Sequence, residues 1–244
     1  MTPLRTRLAA AALGAGLVLA LPATAFAADS GRSRPALSER TQDPEVLKAR
    51  CHEAIAKRLT ALETASSRLG DAKHVTDEHE STLAGIIDDT SASLSALDAE
   101  ITADTDPEAL KAHCRSIFED HRVFALVLPR TRLVVAADTA VAAADRLDQV
   151  ADRLEQAIDK AEANGQDVTQ ARADLEAMRA DVDSARTTAA GVPDSILDLT
   201  PADWNADHEV LTPAREDLRS ARGDLKAARD LARGIVSSLK ASAV

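Results

Sequence analysis

The chain contains two cysteines, and each has a histidine for a neighbour: Cys51-His52 and His113-Cys114. Two thiols and two imidazoles are a donor set that zinc accepts. The spacing argues against that use. Adjacent residues of a helix point about 100° apart, so a cysteine and the histidine beside it do not converge on one ion, and zinc-binding helices space their ligands three or four positions apart. A disulfide fits the pair better. "DPEVLKARC" begins at Asp43 and "DPEALKAHC" at Asp106, so one helix opening is written twice, each time with cysteine at its ninth place.

A second polar group lies in "KHVTDEHES", which holds His74, Asp77, Glu78 and His79. These side chains could form a weak surface metal site. The sequence is read instead as a solvated turn that helps to cap the helix after it. His121 has no Ser or Cys partner evident in the sequence and is read as a packed or interfacial residue. The chain has no Gly-rich phosphate loop, no G-x-S-x-G and no H-E-x-x-H. No catalytic residue, metal site or cofactor is therefore assigned, and the protein is read as not an enzyme.

The elements that position the cysteines are helices. Asp43 and Asp106 are N-caps, each followed by proline at the first helical position and glutamate in the first turn. From Asp43 the apolar stripe runs Leu47, Cys51, Ile55, Leu59, Leu62, Leu69, and a turn is expected in 70–76. A second helix carries Leu83, Ile87, Leu94, Leu97 and Ile101 at heptad spacing, and a third starts at Asp106. The first two have nearly equal lengths of about 40 Å, so the third starts level with the first. Cys51 and Cys114 then face each other at one height on parallel neighbours. Linking them closes a loop of about 63 residues and stabilises by roughly 4 kcal/mol through loop entropy.

"VFALVLP" (123–129) is the most apolar stretch after the leader, and Pro129 is expected to kink or break the third helix. The pattern then runs from Leu133 to Ala161, stops at Asn164-Gly165, and returns from Val168 to Ala189. "GVPDSILDLT" (191–200) reads as a link, followed by a short helix around Trp204 with Thr200 as cap, and by a last stripe from Leu211 to Leu239. The stripes starting at Leu133 and Leu211 both run for about 28 positions, so they match along their length, with alanine-rich seams that imply close helix approach. The expected fold is all-α: an elongated antiparallel coiled coil of two stacked three-helix units sharing a long, Pro-kinked third helix. The units are placed at 43–128 and 129–244. Val123, Phe124, Leu126, Leu128, Pro129 and Trp204 are expected to pack at their junction.

Residues 1–27 read as a signal peptide: Arg5 and Arg7, the apolar run Leu8 to Leu21, and the cleavage site "AFA" ending at Ala27. Residues 28–42 read as a flexible leader. Export suits a disulfide, and no second apolar run of membrane length follows. The formal net charge of −11 becomes more negative once Arg5 and Arg7 are removed, which disfavours nucleic acid and anionic lipid as partners.

The phrases "VFALVLPRTRLVVAAD" (123–138), "TPADWNADHEVLTPARE" (200–216) and "DLKAARDLARGIV" (224–236), with the paired cysteines, resemble a group of secreted, helical, actinobacterial proteins of unknown function. The resemblance implies export and a coiled-coil body, and it brings no activity with it. The expectation is an exported, non-enzymatic protein, a spacer or protein-interaction module at the cell envelope or in the medium. Its partner would be an unidentified protein or cell-wall component, and it could form homo-oligomers. An alternative is an amphipathic bundle that binds lipid or another surface. A third is a small-ligand binder or enzyme using the Pro129/Trp204 junction.

Overall fold

The computed structural model describes residues 43–241. The signal peptide and leader expected over 1–42 lie outside the described residues, as do 242–244. All regular structure among the described residues is helical: α1 (Pro44–Gly70), α2 (Asp77–Ala103), α3 (Pro107–Glu119), a π-helical turn (Val123–Val127), α4 (Leu128–Ala163), α5 (Thr169–Ile196), the short α6 (Pro201–Ala206) and α7 (Thr212–Ala241). The fold is all-α. None of these helices is long and apolar enough to cross a membrane.

The helix ends follow from the capping chemistry. The Asp43 carboxylate accepts from the Glu45 amide at 3.0 Å, and Asp106 accepts from the amides of Glu108 and Ala109. Thr76 caps α2 through the His79 amide. α4 stops at Gly165, whose φ of 80° admits glycine readily; there the Gln166 amide donates to the Ala161 carbonyl and the Gly165 amide to Glu162. Cys51 and Cys114 are disulfide-bonded, with Cα atoms 5.6 Å apart and 63 positions between them. The twin openings therefore lie side by side, and α1, α2 and α3 pack against one another.

The described residues belong to one compact unit with two cores. The first is built from large aliphatic side chains, among them Ile55, Leu62, Leu83, Ile87, Leu94, Ile101, Leu110 and Ile117, and it also takes in Val134 and Ala137 of α4, Ile196 of α5 and Leu218 of α7. The second is alanine-rich. Ala144 and Ala151 of α4, Ala185 and Ala189 of α5, and Ala221 and Ala228 of α7 are wholly buried there, around Ile158, Met178, Val182 and Ile235. Consecutive antiparallel helices α4 and α5, with α7 returning beside both, form this second three-helix bundle.

Three local expectations are corrected. The third helix is interrupted before Pro129, at 120–122. Asp120 closes α3 through the Ser116 carbonyl, Arg122 takes a left-handed conformation (φ 40°), and the Arg122 carbonyl then accepts from the amides of Ala125, Leu126 and Val127. Pro129 stands in the first turn of α4, where a missing N–H is tolerated. The cores divide along α4 between Ala137 and Ala140 instead of at residue 129. The expected link at 191–200 is mostly helix: α5 continues through Gly191 and Pro193 to Ile196. Burying Val192 and Ile196 in the first core outweighs the hydrogen bond that Pro193 cannot make.

Two variants test this description. Replacing both cysteines by serine is expected to lower unfolding free energy by roughly 4 kcal/mol, read from urea unfolding curves each fitted with its own m-value, which should rise as the opened loop exposes more surface, without loss of helical circular dichroism. Ala185→Leu, which inserts a larger side chain into a wholly buried alanine seam, is expected to destabilise by about 1–3 kcal/mol.

Candidate functional site

Of the positions singled out in the sequence, most of the expected junction residues gather at the first core, and the histidines meet separate partners. Val123, Leu126 and Leu128 are buried in the first core. Trp204 is half-buried against that core, on α6. Its ring lies beneath the Arg122 guanidinium, 4.6 Å from the ring centroid, and Asn205 Oδ1 accepts from Arg122 Nε at 2.5 Å while Asn205 Nδ2 donates to the Glu119 carbonyl. α6 is thus a clasp over the break between α3 and α4, and it holds the left-handed Arg122 in place. A capping box, Thr200 with Asp203, holds α6 itself. Phe124, expected at the junction, is instead 53% exposed.

The histidines and cysteines serve the scaffold. His52 Nδ1 lies 2.6 Å from the Asp98 carboxylate and His113 Nδ1 2.9 Å from Asp104, so each ring is held by a carboxylate. His79 pairs with the buried Asp138, which also accepts from the Thr76 amide at 3.1 Å; this pins the α1–α2 turn to α4. Arg146 meets His74 at 3.0 Å. The "KHVTDEHES" residues therefore face separate partners. Among the described residues no three His, Cys, Asp or Glu side chains are placed to hold a metal ion. His121 is buried; its Nδ1–H donates to the Ser116 carbonyl, which leaves Nε2 to accept from the Ser93 hydroxyl. Arg130 is also buried and donates to the carbonyls of Leu197 and Leu199 at 2.9 and 2.6 Å, tying α4 to the end of α5. Burial pushes its guanidinium below the ordinary arginine range, with Asp198 opposing the shift.

The concave feature of interest lies elsewhere. The last turns of α1, the first four turns of α4 and the middle of α7 enclose a groove of about 830 Å³. Its floor is small and apolar: Ala61 and Ala65 from α1; Leu128, Val135, Ala136, Ala140 and Ala143 from α4; Leu225 from α7. Phe124 stands on its edge. Beside Phe124, Arg58 is buried between aromatic faces, its guanidinium 4.3 Å from the Phe118 ring centroid and 5.3 Å from that of Phe124. Burial holds this guanidinium below its ordinary range as well. Phe118 and Phe124 are the two phenylalanines of the described residues, and both are about half exposed.

The electrostatics of the groove depart from those of the chain. Arg68, Arg132, Arg222 and Arg229 line it, and no Asp or Glu is among the described lining residues. None of the four makes an ion pair or a hydrogen bond among the described residues. The arginines of α5 behave otherwise: Arg172 pairs with Asp159 and Glu162, Arg179 with Asp152 and Glu155, and Arg186 with Asp145 and Asp148. The apolar and capping patterns of the separate helices do not show this cluster. One signal was present: Arg222 and Arg229 are seven apart and so share one helix face. Which side chains they would meet on α1 and α4 depends on packing.

Four like charges around one groove oppose folding mildly. Arg132→Glu combined with Arg229→Glu is expected to leave the urea midpoint unchanged or to raise it slightly, because the changes remove repulsion and break no ion pair or side-chain hydrogen bond among the described residues. A clear loss of stability would show that these arginines serve the fold.

The chain matches no family model, no curated protein and no solved structure.

Proposed function

We propose that the protein is an exported, non-enzymatic interaction module whose helical body presents the α1/α4/α7 groove to a helical segment of a partner protein. The carrying observation is the groove itself: an apolar floor with an exposed phenylalanine at its edge and four arginines with no counter-ion among the described residues. Exposed aromatics and arginines around a concave apolar surface are the composition of binding hot spots. Export is supported by the leader, with Arg5, Arg7, the run Leu8 to Leu21 and "AFA", by the resemblance to secreted actinobacterial proteins, and by compatibility with the Cys51–Cys114 bond. The non-enzymatic reading is supported by the use of His52, His79, His113 and His121 in contacts between helices.

The test is site-directed photo-crosslinking on producing cells. A benzophenone side chain replaces Ala136 or Thr64 in the groove, or, as a control, Ser91 on α2 or Gln149 on α4, away from it. Discrete adducts from the groove positions alone are expected. Equal labelling from every position, or none from the groove, overturns the docking role.

A further inference from the structure

Given that docking role, we infer that the segment received by the groove is an acidic amphipathic helix of about four turns. Three features of the groove select it.

The first is length. The α4 wall runs from Leu128 to Ala143, with lining residues recurring every third or fourth position. This stripe is about 22 Å long at 1.5 Å per residue, a span that four turns of a second helix match. The second is relief. Ala61, Ala65, Ala136 and Ala143 are small enough for another helix to approach closely and lay a ridge of side chains into the groove. The third is charge distribution. Arg222 and Arg229 lie two turns apart on α7, about 10 Å, while Arg68 and Arg132 stand on the other two walls. A single acyl chain carries its charge at one end and can meet one or two of these guanidinia. A helix with acidic residues seven apart presents carboxylates at the spacing of Arg222 and Arg229, and flanking acids reach Arg68 and Arg132. A planar anionic bilayer does not enter a concave groove, and it would be repelled by the acidic surface of the rest of the chain.

The experiment measures fluorescence anisotropy of a labelled peptide of about 18 residues, built from Leu, Ala and Glu with Glu at heptad spacing, against the mature protein. Comparison ligands are a Lys-for-Glu peptide, a scrambled peptide of the same composition, oleate, and phosphatidylglycerol vesicles. The Glu peptide is expected to bind, and to weaken at least about tenfold both in Arg222→Glu/Arg229→Glu and on raising salt from about 50 to about 500 mM. The reversal variant is expected to gain the Lys peptide, which a purely structural role for these arginines would not produce. Equal binding of Glu, Lys and scrambled peptides overturns the inference. Binding of oleate or vesicles without the Glu peptide overturns it in favour of a lipid. Groove-specific crosslinks in cells without Glu-peptide binding defeat the acidic-helix inference alone, whereas absence of both defeats the docking role too.

Discussion

The Cys51–Cys114 bond sets the register on which the rest of the molecule depends. Both cysteines stand at the same offset from a capping aspartate, so bonding them levels the starts of α1 and α3. α3 leads through the π-helical turn directly into α4, and that level is carried forward. It decides that the last turns of α1 lie beside the first turns of α4, where Arg68 and Leu69 share a groove with Leu128 and Arg132. A slip of one turn would move them about 5.4 Å apart. Asp138 holds the same register from the other end, by receiving both the Thr76 amide and the His79 ring from the α1–α2 turn.

The groove lies where α4 passes from one core to the other. Its first turns face a core of Leu and Ile, and its later turns face a core of Ala. Alanine seams bring helix axes toward the short end of the usual range of about 8–10 Å, and Leu/Ile cores hold them farther apart. α1 ends at Gly70, and α7 packs into both cores, with Leu218 in the first and Ala221 and Ala228 in the second. Among the described residues, α1 and α7 flank this stretch of α4 and leave the groove open between them. Val135, Ala136 and Ala143 are only partly covered there, although the chain offers many longer aliphatic side chains elsewhere.

Much of the fold was legible because it rests on local signals. The Asp-Pro-Glu openings, the Asn164-Gly165 stop, the Thr200 cap and the paired cysteines each act within a turn or two of chain, and each stands where the pattern put it. The misplaced details depend on distant partners. Nothing local to "EDHRVF" announces that Arg122 will turn left-handed, since Trp204 and Asn205 hold it from far along the chain. Pro193 reads as a helix end, yet the first core holds Val192 and Ile196 in helix. The groove was illegible for the same reason. Arg68, Arg132 and the Arg222/Arg229 pair are unremarkable surface residues on three separate helices, and only the packing of those helices brings them together.

That convergence bears on what the groove is for. The chain has 40 acidic side chains to 29 Lys and Arg, so an arginine on its surface has carboxylates to choose from. Along the α4–α5 seam the arginines have chosen them, and the hydrogen bonds that Arg172 donates to Glu162 and then to Asp159 raise its pKa above its ordinary range. In the groove the opposite holds: four guanidinia share an apolar surface without a carboxylate among its described lining residues. Like charges over low-dielectric walls raise the local potential and gain nothing for the folded chain alone. The same potential attracts an anion, and each contact with a bound carboxylate supplies a counter-ion the scaffold has withheld. An apolar floor beneath such charges requires the anion to carry an apolar face, and that joint requirement is what distinguishes the groove from the solvated surface around it.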